Sequence, residues 1–162
     1  MKRIFRLTLV MGMAASVLGA QSRGWKPMVL NNGKAGMVAS THDPVDVKGE
    51  GAATPSGVRY WDVRLGSGGI AVRGHTVTVL YRAWVRHGKQ FAGSDLEGKP
   101  SVFTLGASQV IPGWEDGIEG MKVGGKRQLV IPPGLAYGKQ GAPPLVPPNA
   151  TLVFDIELVA VE

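Results

Sequence analysis

Val110-Ile111-Pro112-Gly113-Trp114-Glu115-Asp116-Gly117-Ile118-Glu119-Gly120-Met121 is the only convincing helix in a sequence otherwise built from strands and turns. Pro112 sits where a helix can spare an N–H, Glu115 and Asp116 follow in the first turn where the macrodipole favours negative charge, and Gly120 marks the exit. Trp114, Ile118 and Met121 recur at helical spacing and form one apolar stripe, so Glu115, Asp116 and Glu119 are expected to face away into solvent. A helix this short does not hold by itself in water. It is expected to lie on a sheet.

The flanking sequence supplies that sheet. Val58 to Leu65 reads as a strand closed by Gly66-Ser67-Gly68-Gly69, a strong turn signal. In Thr76 to Arg86, Val77, Val79, Tyr81, Ala83 and Val85 alternate with polar residues, and only Leu80 and Trp84 break the pattern on the wet side. A turn at His87-Gly88-Lys89 opens a loop that runs to Pro100. Ser101 to Leu105, Lys126 to Ile131 and Thr151 to Val161 complete the strands; in the last, Leu152, Phe154, Ile156, Leu158 and Ala160 share one face and Asp155 and Glu157 the other. Hairpin-joined strands with one short helix predict an α+β domain, an antiparallel sheet of about five strands with the helix laid across it.

Upstream of this domain, expected over 56–162, the character differs. Residues 1–20 combine the basic Met1-Lys2-Arg3-Ile4-Phe5-Arg6 with an apolar run ending in small residues, which reads as a signal peptide cleaved after Gly19 or Ala20. The apolar run falls short of the ~20 residues of a comfortable membrane span, which disfavours the rival reading of an uncleaved membrane anchor. A secreted or periplasmic location follows. Residues 21–55, rich in Gly, Asn, Pro and Thr and without helical or strand period, read as a flexible linker. They offer no dimerisation arm, so a monomer is expected.

Several function classes drop out on composition. The formal charge is +6, but Lys2, Arg3 and Arg6 account for three of the 18 basic residues and leave 15 against 12 acidic ones. No Lys/Arg run interleaved with aromatics remains, so a nucleic-acid partner is not expected. The chain has no cysteine, which excludes disulfides and thiolate chemistry. His42, His75 and His87 lack metal-ligand spacing, no serine sits in a nucleophile elbow, and the paired carboxylates Glu115 and Asp116 read as solvated surface. No metal or other cofactor is expected.

What the sequence does concentrate is apolar surface around the helix. Tyr81 and Phe154 fall on the inner faces of their strands, Trp114 points from the helix towards them, and Val110 and Ile111 lead into its N-terminus. The connection Leu135-Ala136-Tyr137-Gly138 through Ala142-Pro143-Pro144-Leu145-Val146-Pro147-Pro148 is long, proline-stiffened and unusually apolar for a loop. Leu145 and Val146 are expected to wall a preformed pocket.

Four blocks then stand in order: Val110-Ile111-Pro112-Gly113-Trp114, Met121-Lys122-Val123-Gly124-Gly125, Ile131-Pro132-Pro133-Gly134-Leu135-Ala136-Tyr137-Gly138 and Pro147-Pro148-Asn149-Ala150-Thr151-Leu152-Val153-Phe154. With them, the run from Gly57 to Glu162 resembles the FK506-binding-protein (FKBP) type of peptidyl-prolyl cis-trans isomerase. The resemblance implies a strongly curved antiparallel sheet wrapped over the helix and a substrate pocket between them, lined by Tyr81, Phe91, Val110, Ile111, Trp114, Tyr137, Leu145, Val146 and Phe154. It implies Trp114 as the floor, with the Ile111 N–H and the Tyr137 hydroxyl holding carbonyls of the bound chain. Proline-containing peptides and unfolded exported proteins are the implied substrates. The family's aspartate after the pocket phenylalanine is replaced by Ala92, and Ser101 and Ala142 stand where a rim aromatic and a histidine are common. Ala92 implies weakened binding of FK506-like macrolides, and it opens the alternative of a proline-binding holdase with little turnover.

Overall fold

The alternation of Thr76 to Val85 becomes β3, the long strand against which most of the sheet is assembled. The computed structural model describes residues 43–162; the signal peptide expected over 1–20, and residues 21–42 of the expected linker, lie outside the described residues. Seven strands form one sheet: β1 (Ala52–Ala53), β2 (Arg59–Arg64), β3 (Thr76–Val85), β4 (Gln90–Gly93), β5 (Ser101–Thr104), β6 (Lys126–Ile131) and β7 (Leu152–Val161). Their order is β1-β2-β6-β7-β3-β4, with β5 also on β3, and every pairing is antiparallel. Register shifts at Asp62/Arg64, Ala83/Trp84 and Thr78/Val79 break the ladders locally, and such bulges bend and twist a sheet into a curve.

Two short strands join the five legible in the sequence. The stretch between His87 and Pro100, expected as loop, holds β4 and a single helical turn, α1 (Ser94–Glu97). β4 registers with Arg82 to Trp84 and β5 with Thr76 to Val79. The two therefore share one edge of β3 end to end, and α1 fills the gap between them.

The decisive helix, α2, spans Pro112–Ile118, shorter at both ends than 110–121. Ile111 is extended at φ −59°, ψ 145°, and Gly120 takes φ +83°, a conformation that ends a helix at little cost only for glycine. Trp114, Ile118 and Met121 are buried, as are the facing Leu129, Ile131, Leu152, Phe154, Ile156 and Leu158. Each such side chain contributes on the order of 1.5–3 kcal/mol on burial. Close approach needs more than an apolar stripe. Side chains of Ile131 and Leu129 occupy the places where Cβ atoms on Gly113 and Gly117 would stand, so the helix backbone rests directly on β6.

Arg127, beside Leu129 on the same face of β6, ties the layers together. It donates to both Asp62 carboxylate oxygens at 2.6 and 3.1 Å and to the Gly117 carbonyl at 3.0 Å, and its guanidinium lies 4.3 Å from the Tyr60 ring centroid. One buried side chain thus joins β2, β6 and the C-terminal end of α2, where free carbonyls want a donor.

Two expectations about solvated faces are corrected. Glu115 does not face solvent: it is buried, accepts from the Ser108 N–H at 2.8 Å and lies 3.8 Å from Arg73, which also reaches Asp116 and Glu119. Its carboxylate pins the loop ahead of Val110 to the helix. The outer face of the sheet is not wet throughout either, since Trp84, Gln128 and Asp155 are buried. For Gln128 and Asp155 the reason lies in residues 43–51, within the expected linker. Val45 donates its N–H to Asp155 Oδ2 at 2.9 Å and accepts from Gln128 Nε2 at 2.7 Å, while the Trp61 indole donates to the Gly49 carbonyl at 3.2 Å. This end of the linker runs along the sheet and is bound to it.

Candidate functional site

On the concave side, the aromatic residues predicted to converge do so. Tyr81 meets Trp114 edge-on at 4.9 Å between centroids, Phe154 meets Trp114 at 5.4 Å, and Phe91 meets Phe154 at 6.4 Å. Each is a T-shaped contact that places a positive ring edge on a π face. Strands β3, β4 and β7 deliver Tyr81, Phe91 and Phe154, and α2 delivers the indole. Phe103 of β5 completes the cluster at 5.7 Å from Trp114. It was not among the expected residues, although its place between Ser101 and Leu105 in an alternating strand was the available signal.

Exposure sorts the cluster into support and surface. Trp114, Phe103, Phe154 and Val146 are each more than nine-tenths buried, whereas Tyr81, Phe91, Val110, Ile111 and Tyr137 are half-buried. The second group is the one a ligand can touch. Leu145 and Val146 do not form a common wall: Val146 is 2% exposed and Leu145 45%. The turn that Ala142 and Val146 close through reciprocal backbone hydrogen bonds of 2.8 and 2.9 Å turns one inward and the other out.

Two donors at this surface have no partner. Among the described residues, nothing accepts from the Ile111 N–H, which precedes Pro112 at the start of α2, and nothing pairs with the Tyr137 hydroxyl. Tyr137 follows the 3-10 turn Pro133–Leu135, and the bond from the Gly138 N–H to the Pro133 carbonyl at 2.8 Å closes that turn beneath it. Burial pushes the Tyr137 hydroxyl pKa above its ordinary value. The indole Nε1 of Trp114 is also without a partner but is fully enclosed.

Tyr81 differs because its hydroxyl is engaged. It donates to Glu97 Oε1 at 2.7 Å. Burial first, then this hydrogen bond and the charge of Glu97, hold its pKa far above that of a free phenol. Tyr137 adds a smaller upward push. Ala92, next to Phe91, is 5% exposed and carries no polar group; the carboxylate at Tyr81 comes instead from α1. Two clefts lie elsewhere, one of about 220 Å³ between Asp62, Arg64, Lys122 and Arg127 and one of about 340 Å³ between Ser56, Arg73 and Glu119. In the first Arg127 is paired with Asp62, and in the second Arg73 is paired with Asp116 and Glu119.

A curved antiparallel sheet closing over a short helix, with an indole packed among three further aromatic rings and two free donors at the rim, is the arrangement of one class of proline isomerase. The profile of the FKBP-type peptidyl-prolyl cis-trans isomerase matches residues 68–159, and the chain belongs to that family. It is 46% identical over 100 residues to an FK506-binding protein of Neisseria meningitidis, covering 62% of this chain and 92% of that protein. It is 50% identical over 106 residues to FK506-binding protein 4 of Dictyostelium discoideum, covering 65% of this chain but 29% of the relative, so it spans less than a third of that longer protein. Among solved structures, FkpA from Escherichia coli superposes with a TM-score of 0.63 at 45% identity, over 68% of this chain and 51% of FkpA. AtFKBP13 does so with 0.63 at 40% identity, over 68% of this chain and 97% of its own.

Proposed function

We propose that this chain is an exported peptidyl-prolyl cis-trans isomerase that accelerates rotation about X-Pro bonds in proteins folding outside the cytoplasm. The observation that carries this reading is the pair of unpartnered donors, the Ile111 N–H and the Tyr137 hydroxyl, at the edge of an aromatic surface backed by Trp114. A planar amide resists rotation by about 18–20 kcal/mol because resonance gives its C–N bond double-bond character. At the half-rotated state that resonance is lost, and the group is less polar than either planar form. A surface of aromatic edges and aliphatic groups favours that state over the planar ones, with no bond made or broken. The proline ring packs over the cluster between Tyr81, Phe91 and Ile111. The two donors hold flanking carbonyls so that one end of the imide is fixed while the other turns, and orientation contributes the rest.

The basic and apolar N-terminal run supports export, and family membership supports a role on unfolded clients. FK506-like macrolides are ligands of the same surface, weakened by Ala92. The test is the isomerisation rate of a model proline peptide with and without the protein, by exchange NMR; an unchanged rate at micromolar protein sinks the enzyme reading.

Ala92, buried and apolar, favours a second reading, a proline-binding holdase with little turnover. Near-zero turnover in the natural chain, raised strongly by Ala92→Asp at unchanged peptide affinity, decides for the holdase.

A further inference from the structure

We infer that Glu97 makes the aromatic surface selective for prolines flanked by a lysine or arginine. This rests on the isomerase reading and concerns the same site. The single turn α1 is fastened to Tyr81 at both ends of that residue: the Tyr81 N–H donates to Ser94 Oγ at 3.1 Å and its hydroxyl to Glu97 Oε1 at 2.7 Å. Gly98, at φ +70°, closes the turn with its N–H on the Ser94 carbonyl at 2.9 Å. The Glu97 carboxylate is thereby held beside the ring that packs edge-on against Trp114.

Its charge is uncompensated. Asp95, two residues earlier, is paired with Arg82 at 3.0 Å, but among the described residues no cation lies within ion-pair reach of Glu97. The Tyr81 hydroxyl occupies one lone pair of one oxygen and leaves Oε2 open at an exposed position. A carboxylate accepts several hydrogen bonds, and one already fixed in place loses little freedom when a cation docks on it. An ammonium or guanidinium on the residue next to the bound proline supplies what is missing, and a carboxylate there is repelled.

The experiment uses the full chain and peptides that differ only in the residue next to proline, lysine, leucine or glutamate, with a second set varied on the other side. The lysine peptide is expected to show a kcat/KM about three- to fivefold above the leucine peptide at low salt, the size of one exposed ion pair. The glutamate peptide should fall below by a similar factor, and the spread should shrink as added salt screens it. Glu97→Gln, whose amide oxygen still accepts the Tyr81 hydroxyl, should bring the lysine-to-glutamate ratio to about one, and Glu97→Lys should invert it. Thermal melts of both variants check that the fold survives. A natural chain that treats the peptides alike, or a ratio that Glu97→Gln leaves intact, overturns the inference. If no peptide is accelerated, the isomerase reading fails instead, and the same peptides titrated for affinity decide the selectivity, equal affinities sinking it.

Discussion

Gly117 of α2 and Leu129 of β6 lie so close that a Cβ on the glycine would stand 2.5 Å from Leu129 Cδ1. Gly117→Ala should therefore destabilise the domain, because overpacking costs about 1–3 kcal/mol while the helix gains at most about 1 kcal/mol from losing a glycine. A lowered melting temperature together with a lower kcat/KM, as α2 is lifted and Trp114 carried with it, is the expected result. Unchanged melting would mean that the helix is free to shift.

Tyr137→Phe separates chemistry from stability. Its hydroxyl bonds nothing among the described residues, so removing it should leave the melting temperature nearly where it was, within about 0.5 kcal/mol, yet lower kcat/KM by about tenfold or more through loss of a donor to the substrate. Trp114→Ala should do both kinds of damage, costing about 3–5 kcal/mol in stability. A Tyr137→Phe protein that melts early would make that hydroxyl structural.

Removing Arg127 tests the tie between the layers. Arg127→Met keeps the stem but leaves Asp62 and the Gly117 carbonyl without their donors. Breaking a fully buried pair costs about 3–5 kcal/mol; the Asp62 side chain is 30% exposed, so a loss of about 2–3 kcal/mol in urea unfolding is expected.

On the opposite face of the sheet, Asp155→Ala strips the Val45 N–H of its acceptor. Hydrogen exchange across 43–51 should quicken while β7 stays protected, with an unfolding cost of about 1–3 kcal/mol for the polar groups left unmatched. Slow exchange at Val45 in this variant would show that the segment is held by other contacts.

Alkaline titration checks the tyrosines. Both Tyr81 and Tyr137 have pKa values raised on folding, Tyr81 most strongly by burial, so the folded state keeps protons that the unfolded state releases. Above about pH 10, the ordinary phenol value, stability should fall as pH rises, and below it these two groups should contribute no pH dependence. Absorbance at the phenolate band should show them ionising late, with unfolding rather than before it.

Much of the site was legible because aromatic residues on alternating strands must converge somewhere once one face is the core. Tyr81, Phe154 and Trp114 were placed by period, Val110, Ile111 and the loop with Tyr137 by their apolar run beside the helix, and the family resemblance added Phe91 and the donor roles expected of Ile111 and Tyr137. Glu97 was not found: it belongs to a four-residue turn whose polar composition reads as loop, and only pairing with Tyr81 distinguishes it. Glu115 was misplaced because helical period assigns a direction, not a neighbour. Nothing in that period announces that the loop at Ser108 folds back to cover the carboxylate.

What the chain's order of residues settles is local: Pro112 and Gly120 bound a helix that cannot grow, and alternation in β3, β6 and β7 commits one face of each strand to the interior. These follow from steric limits on the backbone and from the cost of wetting apolar side chains, which act within a few residues. Tertiary structure decides what depends on distant partners. It buries Arg127 against Asp62, lays residues 43–51 over Trp61, Gln128 and Asp155, and puts a carboxylate on the Tyr81 hydroxyl. A polar group's place depends on which donor or acceptor arrives from elsewhere in the chain, and no local pattern carries that information.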